Sequence, residues 1–253
     1  MRYVALGDSQ TEGLNDGDER TGYRGWADRL AEQLAAQHPG FRYANLAVRG
    51  RLAGQVRAEQ LEPALALEPD LVTVMAGMND LVRPRFDAAA VTAHLEATYA
   101  ALADSGAQVV TFTFPDITRI APLVRWLGPR VLDLNERIRS AGARHGAVVV
   151  DTFHHEVTVD PRLWSADRIH ATSLGHARIA AATAHALALP GSDDSWTEAL
   201  PALAPASVLS RVRTELVWAG TFLGPWAMRR LRGQSSGDGR TARRPRLLPV
   251  DPR

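Results

Sequence analysis

The stretch Leu71-Val72-Thr73-Val74-Met75-Ala76-Gly77-Met78-Asn79-Asp80 decides how this chain folds. Its first six residues are apolar apart from Thr73, and they stop at a run of turn formers. A strand that shows no hydrophilic face is buried on both faces, which is the mark of a parallel sheet covered by helices. Working outward, four more short runs read as strands, at 3–6, 41–48, 109–114 and 147–150. Between them the apolar period lengthens to that of a helix. Trp26, Leu30 and Leu34 are in phase over 24–38, and Val131, Leu134 and Ile138 over 129–145. Residues 52–67, 87–104 and 172–188 also read as helices, the last with Thr172 or Ser173 as N-cap. Strand and helix alternate throughout, so an α/β fold with a five-stranded, doubly wound parallel sheet is expected.

In such sheets ligands sit beyond the carboxyl ends of the strands. Chemistry-bearing residues stand at those places: Ser9 after the first run, Gly50 after the second and Asn79 after the third. A serine hydroxyl is not ionised near neutral pH and needs a base within hydrogen-bond reach. Asp167-Arg168-Ile169-His170 offers one, because imidazole titrates near neutrality and a carboxylate three residues earlier can hold one ring nitrogen. The Asn79 amide and a backbone N–H at Gly50 are donors suited to a developing oxyanion. Taken singly, each of these patterns is also an ordinary turn, and only their conjunction points to nucleophilic catalysis.

With all four blocks in place the sequence resembles the SGNH hydrolases, also called the GDSL esterase/lipase family. Gly7-Asp8-Ser9 corresponds to the family's first block and Gly50 to its second. Gly77-Met78-Asn79-Asp80 corresponds to the third, and Asp167-Arg168-Ile169-His170 to the last. The resemblance covers roughly residues 1–190. It implies a flavodoxin-like three-layer α/β/α sandwich and ester or thioester hydrolysis through an acyl-enzyme, with no metal or cofactor. Ser9 would be the nucleophile, His170 the base and Asp167 its orienting acid. The oxyanion hole would comprise the N–H of Ser9, the N–H of Gly50 and the Asn79 side chain. Gln10 stands where the family often has Leu. Gln10, Met78 and Trp164 are candidate substrate-lining residues. The apolar segment 115–128 reads equally as a lid, an acyl-chain wall or plain core.

Composition narrows the field. Cysteine is absent, which removes disulfides, thiolate catalysis and cysteine-based zinc sites. A net charge of +1 supplies no global field for nucleic acid. The N-terminal apolar run is too short for a secretory signal, so a cytoplasmic location is expected. Residues 191–253 carry 10 Arg against 6 acidic residues and read as an extension. Residues 207–232 suggest a helical pair, interrupted at Gly224-Pro225 and packed back on the domain; an interfacial amphipathic segment is the competing reading. Residues 233–253, rich in Gly, Ser, Arg and Pro, read as extended or partly disordered.

The functional expectation is a serine ester hydrolase acting on small-molecule, sugar or lipid esters. Short acyl or acetyl esters stand first, and longer chains of the lysophospholipase or thioesterase kind second. A catalytically silent binding or membrane-associating module is a further alternative. Oligomeric state is not legible.

Overall fold

Burial of the five strands decides the architecture. β1 (Arg2–Gly7), β2 (Arg42–Asn45), β3 (Leu71–Met75), β4 (Gln108–Phe112) and β5 (Val148–Val150) form a parallel sheet in the order β5-β4-β3-β1-β2. The computed structural model describes residues 1–203, 207–231 and 234–250. The order reverses at β1, whose neighbours are β2 on one side and β3 on the other, so the crevice beyond β1 and β3 is the expected ligand site. Helices α1 (Trp26–Gln37), α2 (Ala53–Ala66), α3 (Ala88–Asp104), α4 (Gly128–Arg144) and α5 (Ser173–Ala186) cover the two faces. Their N-termini are capped as their sequences allow. Asp87 accepts from the N–H groups of Ala89 and Ala90, and Thr172 accepts from Gly175.

Several polar residues inside the core are paired across elements. Thr73, the one hydroxyl in the strand that decides the fold, meets the Tyr3 hydroxyl at 2.9 Å. Thr111 meets that of Tyr99 at 2.6 Å. Two buried amides act as surrogate strand partners at the carboxyl ends of strands. Gln60 of α2 accepts from the Gly7 N–H at 2.8 Å and donates to the Gly7 carbonyl at 2.9 Å. Asn135 of α4 does the same for Phe114, at 2.8 and 2.7 Å. Buried backbone groups left unpaired would be costly. These two side chains therefore fix where β1 and the segment after β4 stop.

The sheet has one more strand than the sequence suggested. β6 (Arg244–Leu248) lies antiparallel on the β2 edge, pairing Tyr43 with Leu248 and Asn45 with Arg244. Arg and Pro in that stretch conceal it, but both are tolerated on an edge strand. The helical part of the extension also differs from expectation. α6 (Val208–Trp218) runs through a π-helical turn, Ala219–Leu223, into α7 (Gly224–Leu231). Gly224-Pro225 does not interrupt it, because the wider π-helical turn, closed by the Gly224 N–H on the Ala219 carbonyl, makes room for the proline ring. The side chains of Val208, Trp226 and Leu231, and residues 204–206, 232–233 and 251–253, lie outside those described. Among the described residues, no helix is long and apolar enough to cross a membrane.

Candidate active site

Ser9 starts a single helical turn, Ser9–Glu12, directly after β1. Gly7 makes this turn possible. Its φ is +152°, and a Cβ there would collide with the Met75 carbonyl oxygen and the Thr11 hydroxyl. Asp8 caps the turn by accepting from the Gln10 N–H. Ser9 is buried, with its hydroxyl facing the loop that carries His170. The separation from Ser9 Oγ to His170 Nε2 is 2.9 Å, and from His170 Nδ1 to Asp167 Oδ2 is 2.7 Å.

The Asp167 carboxylate is the organiser of its loop. Oδ1 accepts from the N–H groups of Ile169 and His170, at 2.9 and 3.0 Å, and from the Ser165 hydroxyl at 2.6 Å. Asn15 donates to Oδ2 at 3.3 Å and to Ser165 Oγ at 2.9 Å. Burial pushes the Asp167 carboxyl up, but the His170 ring, its N–H and the Ser165 hydroxyl together hold it well below the usual carboxylate range. An ionised carboxylate can only accept, so His170 donates from Nδ1 and presents Nε2 as an acceptor to Ser9. Within this loop Arg168 has a left-handed φ of 58°.

The residues expected as donors lie on loops that hydrogen bonds tie together. Gly50 ends the loop after β2 with φ +76°. The Asn79 amide donates to Asp8 Oδ2 at 2.9 Å and to the Arg51 carbonyl at 3.2 Å. It therefore bridges the loops that carry Ser9 and Gly50. Burial pushes the Asp8 carboxyl up to about 6, against the opposing pull of the Gln10 N–H, the nearby His170 ring and the Asn79 amide. Asp80 ties the same loops from outside, accepting from the Ala53 N–H at 2.9 Å, and burial lifts its carboxyl to about 6 as well.

Gln10 straddles His170. Its amide donates to the Ile169 carbonyl at 3.0 Å, and its oxygen accepts from the Ala171 N–H at 3.2 Å. Besides lining the cleft, it therefore joins the nucleophile turn to the His170 loop, which a leucine could not do. Trp164 donates to the Thr158 carbonyl at 2.8 Å and faces the cleft, as does Met78. Sequence reasoning missed Gln60 and Asn15. A short amide or carboxyl side chain leaves no periodic signal when its partner is a backbone group far along the chain.

From Asp8, Gln10 and Asn79 an apolar cavity of about 200 Å³ runs inward. Phe114, Ile117, Val124 and Leu127 line one side, and Leu163, Trp164 and Trp196 continue the lining. Trp218, Phe222 and Leu223 of the extension close it. Segment 115–128 therefore serves as wall and core together: Ile120 and Leu127 are buried, whereas Leu123 and Trp126 are exposed. Among the described residues no group of three or more His, Asp or Glu could hold a metal ion.

The fold is shared with solved structures. An α/β hydrolase from the Lake Arreo metagenome superposes with a TM-score of 0.62 at 23% identity, covering 74% of this chain and 94% of that one. TesA gives 0.61 at 23% identity, over 74% and 98% of the two chains. Axe2, an acetylxylan esterase from Geobacillus stearothermophilus, gives 0.63 at 18% identity, over 76% and 96%. No curated protein matches the chain by sequence. The profile of the GDSL-like lipase/acylhydrolase family matches residues 5–178, from the middle of β1 into α5 and through the carboxyl ends of all five parallel strands. The chain belongs to that family and is a carboxylic ester hydrolase.

Proposed function

We propose that the protein hydrolyses esters through an acyl-enzyme on Ser9. One observation carries this reading: the unbroken hydrogen-bonded line from Ser9 Oγ through both nitrogens of His170 to Asp167, at 2.9 and 2.7 Å. His170 takes the hydroxyl proton at Nε2 as Ser9 Oγ attacks the ester carbonyl carbon. The resulting imidazolium is balanced by Asp167 across the Nδ1–H bond. The tetrahedral oxyanion draws on the N–H groups of Ser9 and Gly50 and on the Asn79 amide, which turns one of its two hydrogens from Asp8 or Arg51 to the oxyanion. His170 then gives its proton to the leaving alkoxide as the carbon–oxygen bond breaks. In the second half, water loses a proton to the same nitrogen, attacks the acyl carbonyl and returns Ser9 to its hydroxyl form. The donor set and the nucleophile belong to the chain itself, so no cofactor or metal enters these steps.

For the acyl group, the apolar lining favours chains of medium or greater length over acetyl. A cavity of about 200 Å³ exceeds the ~150 Å³ apolar void that accepts benzene. A two-carbon acyl group would leave most of it empty. Each methylene that enters contributes ~0.8 kcal/mol. The longer-chain reading, placed second on sequence alone, therefore moves first.

The test pairs a fluorophosphonate probe with a series of p-nitrophenyl esters from acetyl to dodecanoyl. The wild type is expected to label at Ser9 and to prefer chains beyond butyrate. Ser9→Ala is expected to lose labelling and nearly all turnover. A Ser9→Ala variant that kept wild-type hydrolysis would sink the mechanism, and a steep fall beyond butyrate would restore the short-chain reading.

A further inference from the structure

The C-terminal extension meets the active site at Trp218. Trp218, at the end of α6, is buried although much of that helix is exposed: Leu209 is 79% and Leu216 68% accessible. Its indole N–H donates to the Asp167 carbonyl at 3.0 Å. The Arg168 guanidinium lies over its ring, 4.8 Å from the centroid. Arg168 also pairs with Glu215, one turn earlier on α6, at 2.7 Å. The same ring lines the acyl cavity, followed by Phe222 and Leu223 of the π-helical turn. One side chain therefore touches both the backbone of the loop that orients His170 and the wall against which an acyl chain would lie.

We infer that Trp218 is a positioning residue for the Asp167–His170 loop and, at the same time, sets the acyl-chain length the enzyme accepts. This rests on the ester-hydrolase reading above. Arg168 sits in the left-handed region, which is unfavourable for a residue with a side chain and persists only when its surroundings hold it. The hydrogen bonds within the loop come from Asp167 and Ser165. Those from outside the loop come from Gln10 and Asn15 on the side of the nucleophile turn and from the Trp218 N–H and the Glu215 carboxylate on the side of α6. A loop held on one side only would let the His170 ring drift from Ser9, and displacements of this kind cost turnover more than binding. The wall function is independent of the N–H, since it needs only the ring's bulk.

The two functions separate by substitution in the full-length protein. Trp218→Phe keeps an aromatic wall but removes the donor. It is expected to lower kcat by roughly three- to tenfold for every p-nitrophenyl ester, with the KM trend along the chain-length series unchanged. Glu215→Gln weakens the ion pair and is expected to act in the same sense, more weakly. Trp218→Ala removes the wall as well. The gain of about fourfold in kcat/KM per entering methylene should then vanish at the length where the chain reaches the missing ring. Phe222→Ala, on a more exposed residue of the same wall, repeats that measurement if Trp218→Ala does not fold. Wild-type kcat in Trp218→Phe and Glu215→Gln overturns the brace. An unaltered chain-length profile in the wall variants overturns the length-setting function. Fluorophosphonate labelling at Ser9 is scored on every protein: a wild type that neither labels nor hydrolyses esters overturns the ester-hydrolase reading and this inference with it. Labelled variants with unchanged kinetics overturn this inference alone.

Discussion

The two halves of the cleft are built by opposite means. The polar half, from Asp8 and Ser9 to Asn79, Asp167 and His170, is placed by strand ends and tight loops. Nearly every polar atom in it has a named partner within 3.3 Å. The apolar half is a void of about 200 Å³ between segments 112–127, 157–164 and 218–223, shaped by side-chain bulk. Hydrogen bonds are directional and fix single atoms; apolar contacts are not and fix only volume. Changes in the polar half should therefore alter turnover equally for all acyl chains. Changes in the apolar half should alter the dependence on chain length.

The largest effect should come from Asp167→Asn, which keeps the shape of the loop but removes the charge. An amide can present either an acceptor or a donor to His170 Nδ1, so the ring loses its enforced tautomer and the imidazolium loses its counter-charge. A fall in kcat on the order of 10³–10⁴ is expected, by the same factor for acetyl and octanoyl esters. A factor that varied with chain length would break the division between the halves.

Asn79→Ala comes next. Removing one oxyanion donor costs on the order of 10²–10³ in kcat. Here the Asp8 carboxylate also loses its Asn79 partner, so the variant reports on the bridge between the nucleophile loop and Arg51 as well. Steady-state kinetics on two chain lengths checks it, again with equal factors expected.

The difference between the halves also explains what the sequence disclosed. Gly7-Asp8-Ser9, Gly77-Asn79 and Asp167-His170 are local clusters, each a few residues long and each following a strand whose apolar run is unmistakable. Five parallel strands and their helices were legible for the same reason. The polar residues that hold the centre together were not, because Gln60 and Asn15 act across 53 and 152 residues of sequence. The cavity was legible in part, as Gln10, Met78, Trp164 and the apolar residues of 115–128, with nothing to say that Trp196 and Trp218 would join them. β6 was hidden in a stretch of Arg and Pro, since an edge strand needs backbone pairing on one side and no apolar face. Gly50 shows the limit at a single residue: its glycine was read as access for a ligand. A Cβ there would also strike the Ser235 hydroxyl, from the distant extension, which nothing near Gly50 in the sequence discloses.

Val124→Trp tests the apolar half in isolation. Val124 lines the cavity and is only partly buried, so a larger ring can be accommodated by filling the void. If it excludes two methylenes, kcat/KM for octanoyl or longer esters should fall by about fifteenfold, with acetyl hydrolysis within about twofold of wild type. Equal losses for both would mean that the ring had disturbed the His170 loop, and the two halves would not be separable.

The smallest effect concerns stability, and it shows that the polar half carries a cost the apolar half does not. Asp8 is buried, and its carboxyl titrates at about 6 in the folded chain against an ordinary value of 3.8. The native state therefore binds this proton more tightly than the unfolded chain does. Its contribution to stability is largest below pH 4 and is lost as pH rises through about 6. The difference of about two units corresponds to a few kcal/mol at most. Asp8→Asn keeps an acceptor for the Gln10 N–H but has no charge to desolvate. The melting temperature of Asp8→Asn relative to wild type should then be higher at pH 7.5 than at pH 4.5, by roughly 4–8 °C. Activity should fall at pH 7.5, where an amide holds the Asn79 donor less firmly than a carboxylate does. A relative melting temperature that did not change with pH would mean that Asp8 is ionised without penalty. The charge beside Ser9 would then be no burden on the fold, and the contrast between the halves would be one of geometry alone.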